Sequence, residues 1–245
     1  VLKDLPDKVE KDMWLNFSPE EKQLYLANLA QVNEQLQQQL ELEKVDSILI
    51  LAMMTRLRQI CCEPRMLYEN YKGESTKFSM CLDLIETLKE NGKKVLLFSS
   101  FTSIFDDFIE EFDRRGIKYH MITGAVDKKK RKEEVDAFQN DDSNVFLISL
   151  KAGGTGLNLT KAQAVIHFDP WWNVSAQNQA TDRAYRIGQT KNVLVYQLLM
   201  KNTIEEKIYE MQKRKKEMSD LFVENSNGGI STLSKEELKD LFSMD

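Results

Sequence analysis

The sequence predicts an α/β protein in which helices cover both faces of a parallel β-sheet. Short β-branched or aromatic runs alternate with segments of helical spacing along most of the chain, and these runs lack the polar alternation of half-exposed strands. Strands buried on both faces have this pattern, because crossover helices shield a parallel sheet on either side. The chain has 245 residues and can bury a large core, so a three-layer domain is expected.

Segment 1–72 is predicted to be helical. Ser18-Pro19-Glu20-Glu21 has the capping-box spacing with proline at the first helical position, and apolar residues then recur at helical spacing as far as Leu40. A second, mostly apolar helix is expected over 46–62. It should end before Pro64, because a residue that precedes proline disfavours the helical conformation.

Segment 73–202 carries the predicted sheet, and 203–245 is predicted to add C-terminal helices. Strands are expected at 94–98, 117–122, 144–149, 164–168 and 192–199. Helices are expected at 78–90, 102–115, 127–139 and 174–186. An amphipathic helix over 203–222 follows, and Ser234 begins a second capping box before a short last helix.

Composition restricts the function and the compartment. A formal net charge of -5 argues against a surface that is basic throughout, so any contact with nucleic acid must be local. Three cysteines form neither a disulfide framework nor a metal-ligand spacing, which indicates a reducing intracellular compartment. The longest apolar run, 48–54, is too short to cross a bilayer, and no signal peptide is apparent, so a soluble protein is expected. The chain begins at Val1, which suggests a piece of a longer protein.

A glycine-rich loop, LKAGGTGLNLT, follows the strand predicted at 144–149. Gly153, Gly154 and Gly156 allow positive φ and bring backbone N–H groups close to an anion, which is one way to hold a phosphate. In isolation such a loop is more often a tight connection. The phosphate interpretation therefore needs support from the rest of the chain.

The usual nucleotide fingerprints are incomplete. The loop lacks the third glycine of G-x-G-x-x-G, which disfavours a dinucleotide-dependent oxidoreductase. Only Gly92 precedes a lysine, and Thr87 occupies the place of the earlier P-loop glycine. The sequence also has no Asp-Glu dipeptide to bind magnesium and activate water. The chain thus lacks a primary triphosphate cradle.

Two arginines in DRAYRIGQT, Arg183 and Arg186, are three residues apart and share one face if the run is helical. Guanidinium groups match phosphoryl oxygens, so these residues are candidate arginine fingers for a nucleotide bound mainly by another domain. The alternative is that they pair with neighbouring carboxylates such as Asp182. The two arginines alone favour this alternative.

Residues 147–189 closely resemble the last conserved motifs of the Swi/Snf family of DNA-translocating ATPases, in helicase superfamily two. Three rare elements occur in the family's order: AGGTGLNLT, DPWWN and Q-x-x-D-R-x-x-R-x-G-Q. KVLLFSSF at 94–101 and MTRLRQICCEP at 54–64 are also similar to family segments. The resemblance extends over about 2–245.

The resemblance implies a RecA-like (P-loop NTPase-like) second lobe that follows a helical protrusion from the end of the first lobe. ATP with Mg²⁺ would be held mainly by the N-terminal lobe, where the family carries its P-loop and Asp-Glu box. No cofactor is expected in the isolated fragment, which is predicted to be inactive. The implied partners are double-stranded DNA and the N-terminal lobe, without a membrane and without a required oligomer. Translocation without strand separation is likewise implied.

The resemblance also assigns roles to individual residues. Arg183 and Arg186 would be the fingers, Gln179 a nearby polar partner and Asp182 the residue that orients them. Gly154 and Gly156 would face the nucleotide with their backbone. Contacts to the DNA backbone are implied for Ser99, Ser100, Lys151, Thr155 and Trp172. For one member of the pair Trp171 and Trp172, core packing is the favoured alternative.

Other features leave the biological role open. The compact lobe favours a bacterial member, with a cytoplasmic, nucleoid-associated location, whereas a eukaryotic member would be nuclear. Basic runs at 128–132 and 213–216 are candidates for DNA contact or for solvated helix ends. The rival to a motor lobe is a stand-alone module that binds nucleic acid or protein without nucleotide chemistry.

Overall fold

The computed structural model describes residues 6–153, 157–172, 174–186, 188–221 and 233–243. Its strands are β1 (Lys8–Leu15), β2 (Val95–Ser99), β3 (Tyr119–Ile122), β4 (Val145–Ser149), β5 (Ala164–His167) and β6 (Val193–Met200). They form one sheet in the order β1-β6-β5-β2-β4-β3. The helices are α1 (Pro19–Glu41), α2 (Ser47–Cys62), α3 (Thr76–Glu90), α4 (Ile104–Arg115), α5 (Lys128–Asn140), α6 (Leu150–Gly153), α7 (Val174–Thr181), α8 (Ile204–Leu221) and α9 (Lys235–Leu241). A 3₁₀ turn at Pro64–Met66 follows α2.

The sheet is parallel, as the unbroken apolar runs predict. β2 pairs in parallel with both β4 and β5, and every residue of these three strands is buried. Leu96 and Phe98 lie in one apolar cluster with Phe138 of α5. Val95 and Leu97 are equally buried and face the opposite side, because side chains alternate along a strand. Both faces of the sheet are therefore covered, and the predicted α/β class is confirmed.

The prediction that the whole N-terminal region is helical was wrong, because residues Lys8–Leu15 form the strand β1. KVEKDMWL is mostly exposed and gives no continuous apolar run. It extends the sheet at one edge through backbone bonds from Val193 N–H to the Asp7 carbonyl (3.1 Å) and from Lys201 N–H to the Leu15 carbonyl (2.8 Å). Charged side chains are common on such edge strands, where they discourage pairing with other chains.

The chain divides into two compact units, Val1–Met13 with Phe78–Leu199 and Trp14–Lys77 with Met200–Asp245. The first unit contains the centre of the sheet and the carboxyl ends of its inner strands. The segment bounds 1–72, 73–202 and 203–245 stay predictions. No helix in the described part of the chain combines the length and the hydrophobicity needed to cross a bilayer.

The second unit is built around buried carboxylates. The predicted capping box at the start of α1 is present, with Ser18 N–H donating to Glu21 and Glu21 N–H donating to the Ser18 hydroxyl. Glu21 also accepts from Thr76 N–H at 2.9 Å, at the start of α3. A fully buried ion pair joins Lys77 Nζ to Glu205 at 2.5 Å. These contacts hold the beginning of α3 firmly within this unit.

Candidate functional site

The carboxyl ends of the central strands meet at one edge of the sheet, where Asp169 organises two loops. This buried carboxylate follows β5 and accepts hydrogen bonds from the Ser99 hydroxyl (2.9 Å) and the Ser100 N–H (3.0 Å) at the end of β2. The Ser100 hydroxyl donates to its second oxygen. An ionised acceptor strengthens such bonds, so Asp169 fixes the loop after β2.

Ser99 and Ser100 are therefore placed differently, although both were predicted to contact DNA. Ser99 is completely buried, and its oxygen also accepts from Phe101 N–H at 3.1 Å. Ser100 is only half-buried. The structure thus gives Ser99 a role in shaping the loop, while its contact with DNA stays a prediction.

A cavity of about 420 Å³ opens at this edge. The segments at the ends of β2, β3 and β4 supply most of its wall, and Trp171 of the segment after β5 completes it. Residues with hydroxyl groups at or just after the ends of these three strands line the same space. The lining residues are Ser100, Thr102, Thr123, Gly124, Ala125, Ser149, Leu150 and Trp171. Such a lining can donate hydrogen bonds to an anion without contributing charge.

Buried His167 joins the end of β5 to the end of α7. Its Nε2 lies 2.9 Å from the Thr181 hydroxyl, which is itself 3.4 Å from the Gln177 carbonyl. This arrangement assigns the ring proton to Nε2 of a neutral imidazole. Burial lowers the pKa of His167 to about 4, and the nearby charge of Asp169 only partly opposes that shift. The imidazole is a structural link between the sheet and the segment that carries the arginines.

The arginine segment is not helical, which corrects the prediction of a helix over 174–186. α7 ends at Thr181, and the backbone continues in tight turns, with Ala184 N–H and Tyr185 N–H both donating to the Thr181 carbonyl at 3.1 Å. The Arg183 carbonyl accepts from Leu159 N–H at 3.0 Å. Arg183 is half-buried and Arg186 is exposed. We call residues 182–189 the arginine turn.

The end of the arginine turn is held by Gln189 and shaped by Gly188. Gln189 is buried; its amide nitrogen donates to the carbonyls of Ala162 (2.9 Å) and Ala184 (3.0 Å). Its oxygen accepts from the N–H groups of Thr190 and Lys191, each at 3.0 Å. Gly188 has φ +104°, a conformation that residues with a Cβ rarely adopt. The sequence Gly-Gln therefore closes the turn.

The other predicted site residues are placed less completely. Gln179 on α7 and Asp182 in the arginine turn are exposed, and Trp172 is half-buried. Trp171 packs against the apolar core, and its backbone N–H donates to the Gln177 side-chain oxygen at 3.1 Å. Lys151 lies in α6, but its side chain is outside the described part. Three predicted residues fall outside the described ranges altogether: Gly154, Thr155 and Gly156.

The sequence interpretation missed Asp169, His167 and Gln189 as site residues. Asp169 and Gln189 stand inside the quoted motifs DPWWN and R-x-G-Q, so their position in rare motifs was an available signal. His167 is one of only two histidines and stands within a strand. No sequence pattern shows that a strand histidine faces a threonine on the next helix.

The two basic runs differ in their surroundings. At the start of α5, Asp127 accepts from the N–H groups of Lys129 (2.8 Å) and Lys130 (3.0 Å), and the lysine side chains are exposed. In α8, Lys213 Nζ lies 4.6 Å from the centre of the Tyr209 ring, and Arg214 lies 3.3 Å from Asp240. The start of the second run thus makes contacts within its own unit, and DNA contact by either run stays a prediction.

The donor set of the described residues fits phosphate better than a metal ion. Guanidinium groups, as in Arg183 and Arg186, and hydroxyl groups, as in the cavity lining, are donors that match phosphate oxygens. Within the described ranges, no group of three or more His, Cys, Asp or Glu side chains could hold a metal ion.

Comparison with known proteins gives this edge its context. The family model of the helicase conserved C-terminal domain matches residues 76–188. An uncharacterized ATP-dependent helicase of Mycoplasma pneumoniae is 39% identical, over 99% of this chain and 23% of its own length. The putative ATP-dependent helicase/translocase YwqA of Bacillus subtilis is 34% identical, over 100% of this chain and 27% of its own length.

A solved structure agrees with these relatives. The SWI2/SNF2 ATPase core of Sulfolobus solfataricus, in complex with double-stranded DNA, has a TM-score of 0.81 and 32% identity, covering 100% of this chain and 52% of that chain. The fold and its edge thus define a RecA-like helicase domain. More particularly, the chain is the C-terminal helicase lobe of the Swi2/Snf2 family. It spans about a quarter of the length of the two curated relatives above.

Proposed function

We propose that this lobe is half of an ATP-driven motor on double-stranded DNA. In this proposal Arg183 and Arg186 act as arginine fingers on ATP with Mg²⁺ that is bound mainly by an N-terminal lobe. The observation that carries the proposal is the arginine turn itself. Its backbone is fixed at the Arg183 and Ala184 carbonyls, while the Arg186 side chain remains exposed.

The fixed turn favours a role in catalysis because a finger must be in place before charge develops. A preorganised guanidinium stabilises the transition state without reorganisation during the reaction. Such a finger can contribute about 10³ to 10⁵ in turnover. This lobe would supply the cationic half of the site and leave the phosphate cradle to its partner.

The test is DNA-stimulated ATP hydrolysis by the full-length protein with Arg183→Ala or Arg186→Ala. We expect kcat to fall by roughly 10³-fold or more, with little change in nucleotide affinity. Arg114→Ala is the matched control, since Arg114 is an exposed arginine paired with Glu111 at 2.5 Å on α4. Equal losses of affinity and turnover would instead indicate ground-state binding by the arginines. Hydrolysis by the isolated lobe, abolished by Arg186→Ala, would contradict the two-lobe proposal.

We further propose that the hydroxyl-lined cavity holds the DNA backbone. Hydroxyls and backbone N–H groups contact phosphates without reading bases, which suits a motor that moves along any sequence. The S. solfataricus core was solved with duplex DNA, and its likeness to this chain supports a DNA contact. Thr102 is exposed and Thr123 is half-buried, so both can reach a ligand in the cavity.

Thr102→Val and Thr123→Val test the cavity because they remove hydroxyls while keeping the shape. Each should weaken duplex binding by roughly 5-fold, the size of one hydrogen bond, measured by fluorescence anisotropy on the full-length protein. The salt dependence should keep its slope, since no charge is removed. Ser103→Ala is the control, because this exposed serine caps α4 without a side-chain bond and lies outside the cavity lining. Unchanged affinity in both valine variants would refute this part of the proposal.

A further inference from the structure

The Gln189 side chain joins the arginine turn to the preceding loop, because it bonds to carbonyls of both segments. Ala162 belongs to the loop after α6, and Ala184 lies between the two arginines. All four hydrogen-bonding sites of the amide group are used, two as donors and two as acceptors. A buried side chain with this complete set of bonds has one orientation.

We propose that Gln189 is a positioning residue, which sets the placement of Arg183 and Arg186 by locking the arginine turn onto the loop at Leu159 and Ala162. This proposal rests on the proposed function of the two arginines. Arg183 itself is linked to the same loop, since its carbonyl accepts from Leu159 N–H at 3.0 Å. The two links hold opposite ends of the turn, one before Ala184 and one after Gly188.

The geometry explains why an amide is needed. The two carbonyls require donors, and the N–H groups of Thr190 and Lys191 require an acceptor, all around one buried terminal group. A carboxylate of the same shape would satisfy the two N–H groups and repel the two carbonyls. When protonated, it would again donate one bond. Gln189→Glu should therefore create a turn whose placement depends on pH.

The experiment measures kcat and KM for ATP in the DNA-stimulated reaction of the full-length protein between about pH 5.5 and 8. The lower limit is chosen to protonate the new carboxyl as far as the stability of the wild-type protein allows. At the upper pH, Gln189→Glu should lower kcat by roughly 100-fold, as expected for a misplacement of about 1 Å, with KM changed less than about 3-fold. Activity relative to wild type should recover as the pH falls. Gln189→Met should lose kcat without any recovery.

Gln37→Glu is the matched control, since it adds the same charge at an exposed position on α1. Thermal unfolding of each variant checks folding, and Gln189→Met carries the test if Gln189→Glu does not fold. Wild-type kcat in Gln189→Met, or in a folded Gln189→Glu at the upper pH, would overturn the positioning role. A loss in Gln189→Glu without recovery at low pH would also overturn it. If Arg183→Ala and Arg186→Ala leave turnover unchanged, the proposed function fails first, and that result is separate from any effect of Gln189.

Discussion

The buried pair of Lys77 and Glu205 provides a sharp test of what holds the second unit together. Both side chains are completely buried, and Glu205 also accepts from Met200 N–H at 2.9 Å. Burial is the largest influence on the pKa of Lys77 and lowers it, but the charge of Glu205, its hydrogen bond and the nearby thiols of Cys62 and Cys61 together outweigh burial, so the pKa is raised. Lys77→Met leaves the Glu205 carboxylate in the core without its ammonium partner. Breaking a buried pair in this way costs about 3–5 kcal/mol.

A double-mutant cycle separates the pair from the individual residues. Glu205→Gln alone leaves a buried ammonium and should cost a similar amount, whereas Lys77→Met/Glu205→Gln removes both charges and keeps an acceptor for Met200 N–H. The double variant should therefore be less destabilised than the sum of the singles by at least about 2 kcal/mol. In a chain of this length, each single change should lower Tm by roughly 6–20 °C.

Urea unfolding of the 245-residue chain measures these free energies. Because the chain divides into two compact units, circular dichroism should be compared with tryptophan fluorescence before one free energy is assigned. Lys118→Met is the control, since Lys118 pairs with Asp142 at 2.5 Å on the surface. This substitution should change the free energy of unfolding by less than about 0.5 kcal/mol. Additive single effects, or a Lys77→Met loss as small as the control, would refute the reasoning.

Three further outcomes are expected. Asp169→Asn should lower the free energy of unfolding in urea by about 2–3 kcal/mol and weaken duplex binding, because the donors that bond to the carboxylate then face an amide group. A variant with wild-type stability and wild-type DNA affinity would contradict this prediction. The two histidines should shape opposite limbs of a stability–pH profile. Partial burial opposes the charged form of His120, but hydrogen bonds that its ring donates to Asp141 and Glu134 raise its pKa, so its contribution is complete below about pH 6.5 and is lost as the pH rises through the folded-state value. Burial lowers the pKa of His167 to about 4, so stability is lost as the pH falls from 6.5 towards 4. When the free energy of unfolding in urea is measured against pH, His120→Gln should flatten only the high-pH side of the curve and His167→Gln only the low-pH side. Gly188→Ala should cost about 1–2 kcal/mol and also reduce ATP turnover, whereas Gly92→Ala, with φ +65°, should cost stability alone.

The regular elements were predictable where local pattern and final environment agree. The inner strands are mostly apolar and buried on both faces, so their composition predicts them. The capping boxes at Ser18 and Ser234 correctly predict where α1 and α9 begin. By contrast, β1 is stabilised through backbone bonds to β6, far away along the chain. Its charged side chains contribute little to that pairing, so the sequence carries no local sign of it.

The site was predictable by residue type and less so by arrangement. The two arginines and the serine loop stand in recognisable motifs, but their partners depend on sheet order. Asp169 meets Ser99 only because β5 lies beside β2, although β3 and β4 separate them in the chain. The end of α7 at Thr181 likewise depends on bonds from Leu159 and Gln189, which no helical periodicity reveals.

These long-range contacts give the two proposed functions a common support. Asp169 fixes the loop after β2, and His167, two residues earlier, contacts Thr181 just before the arginine turn. The proposed DNA contacts and the proposed nucleotide contacts are thus anchored at the same end of β5, which is itself buried in the centre of the sheet. A reactive group holds its geometry best when it rests on a rigid element with fixed hydrogen bonds. Because both groups share one such element, a displacement of either loop relative to β5 would have to break a buried hydrogen bond.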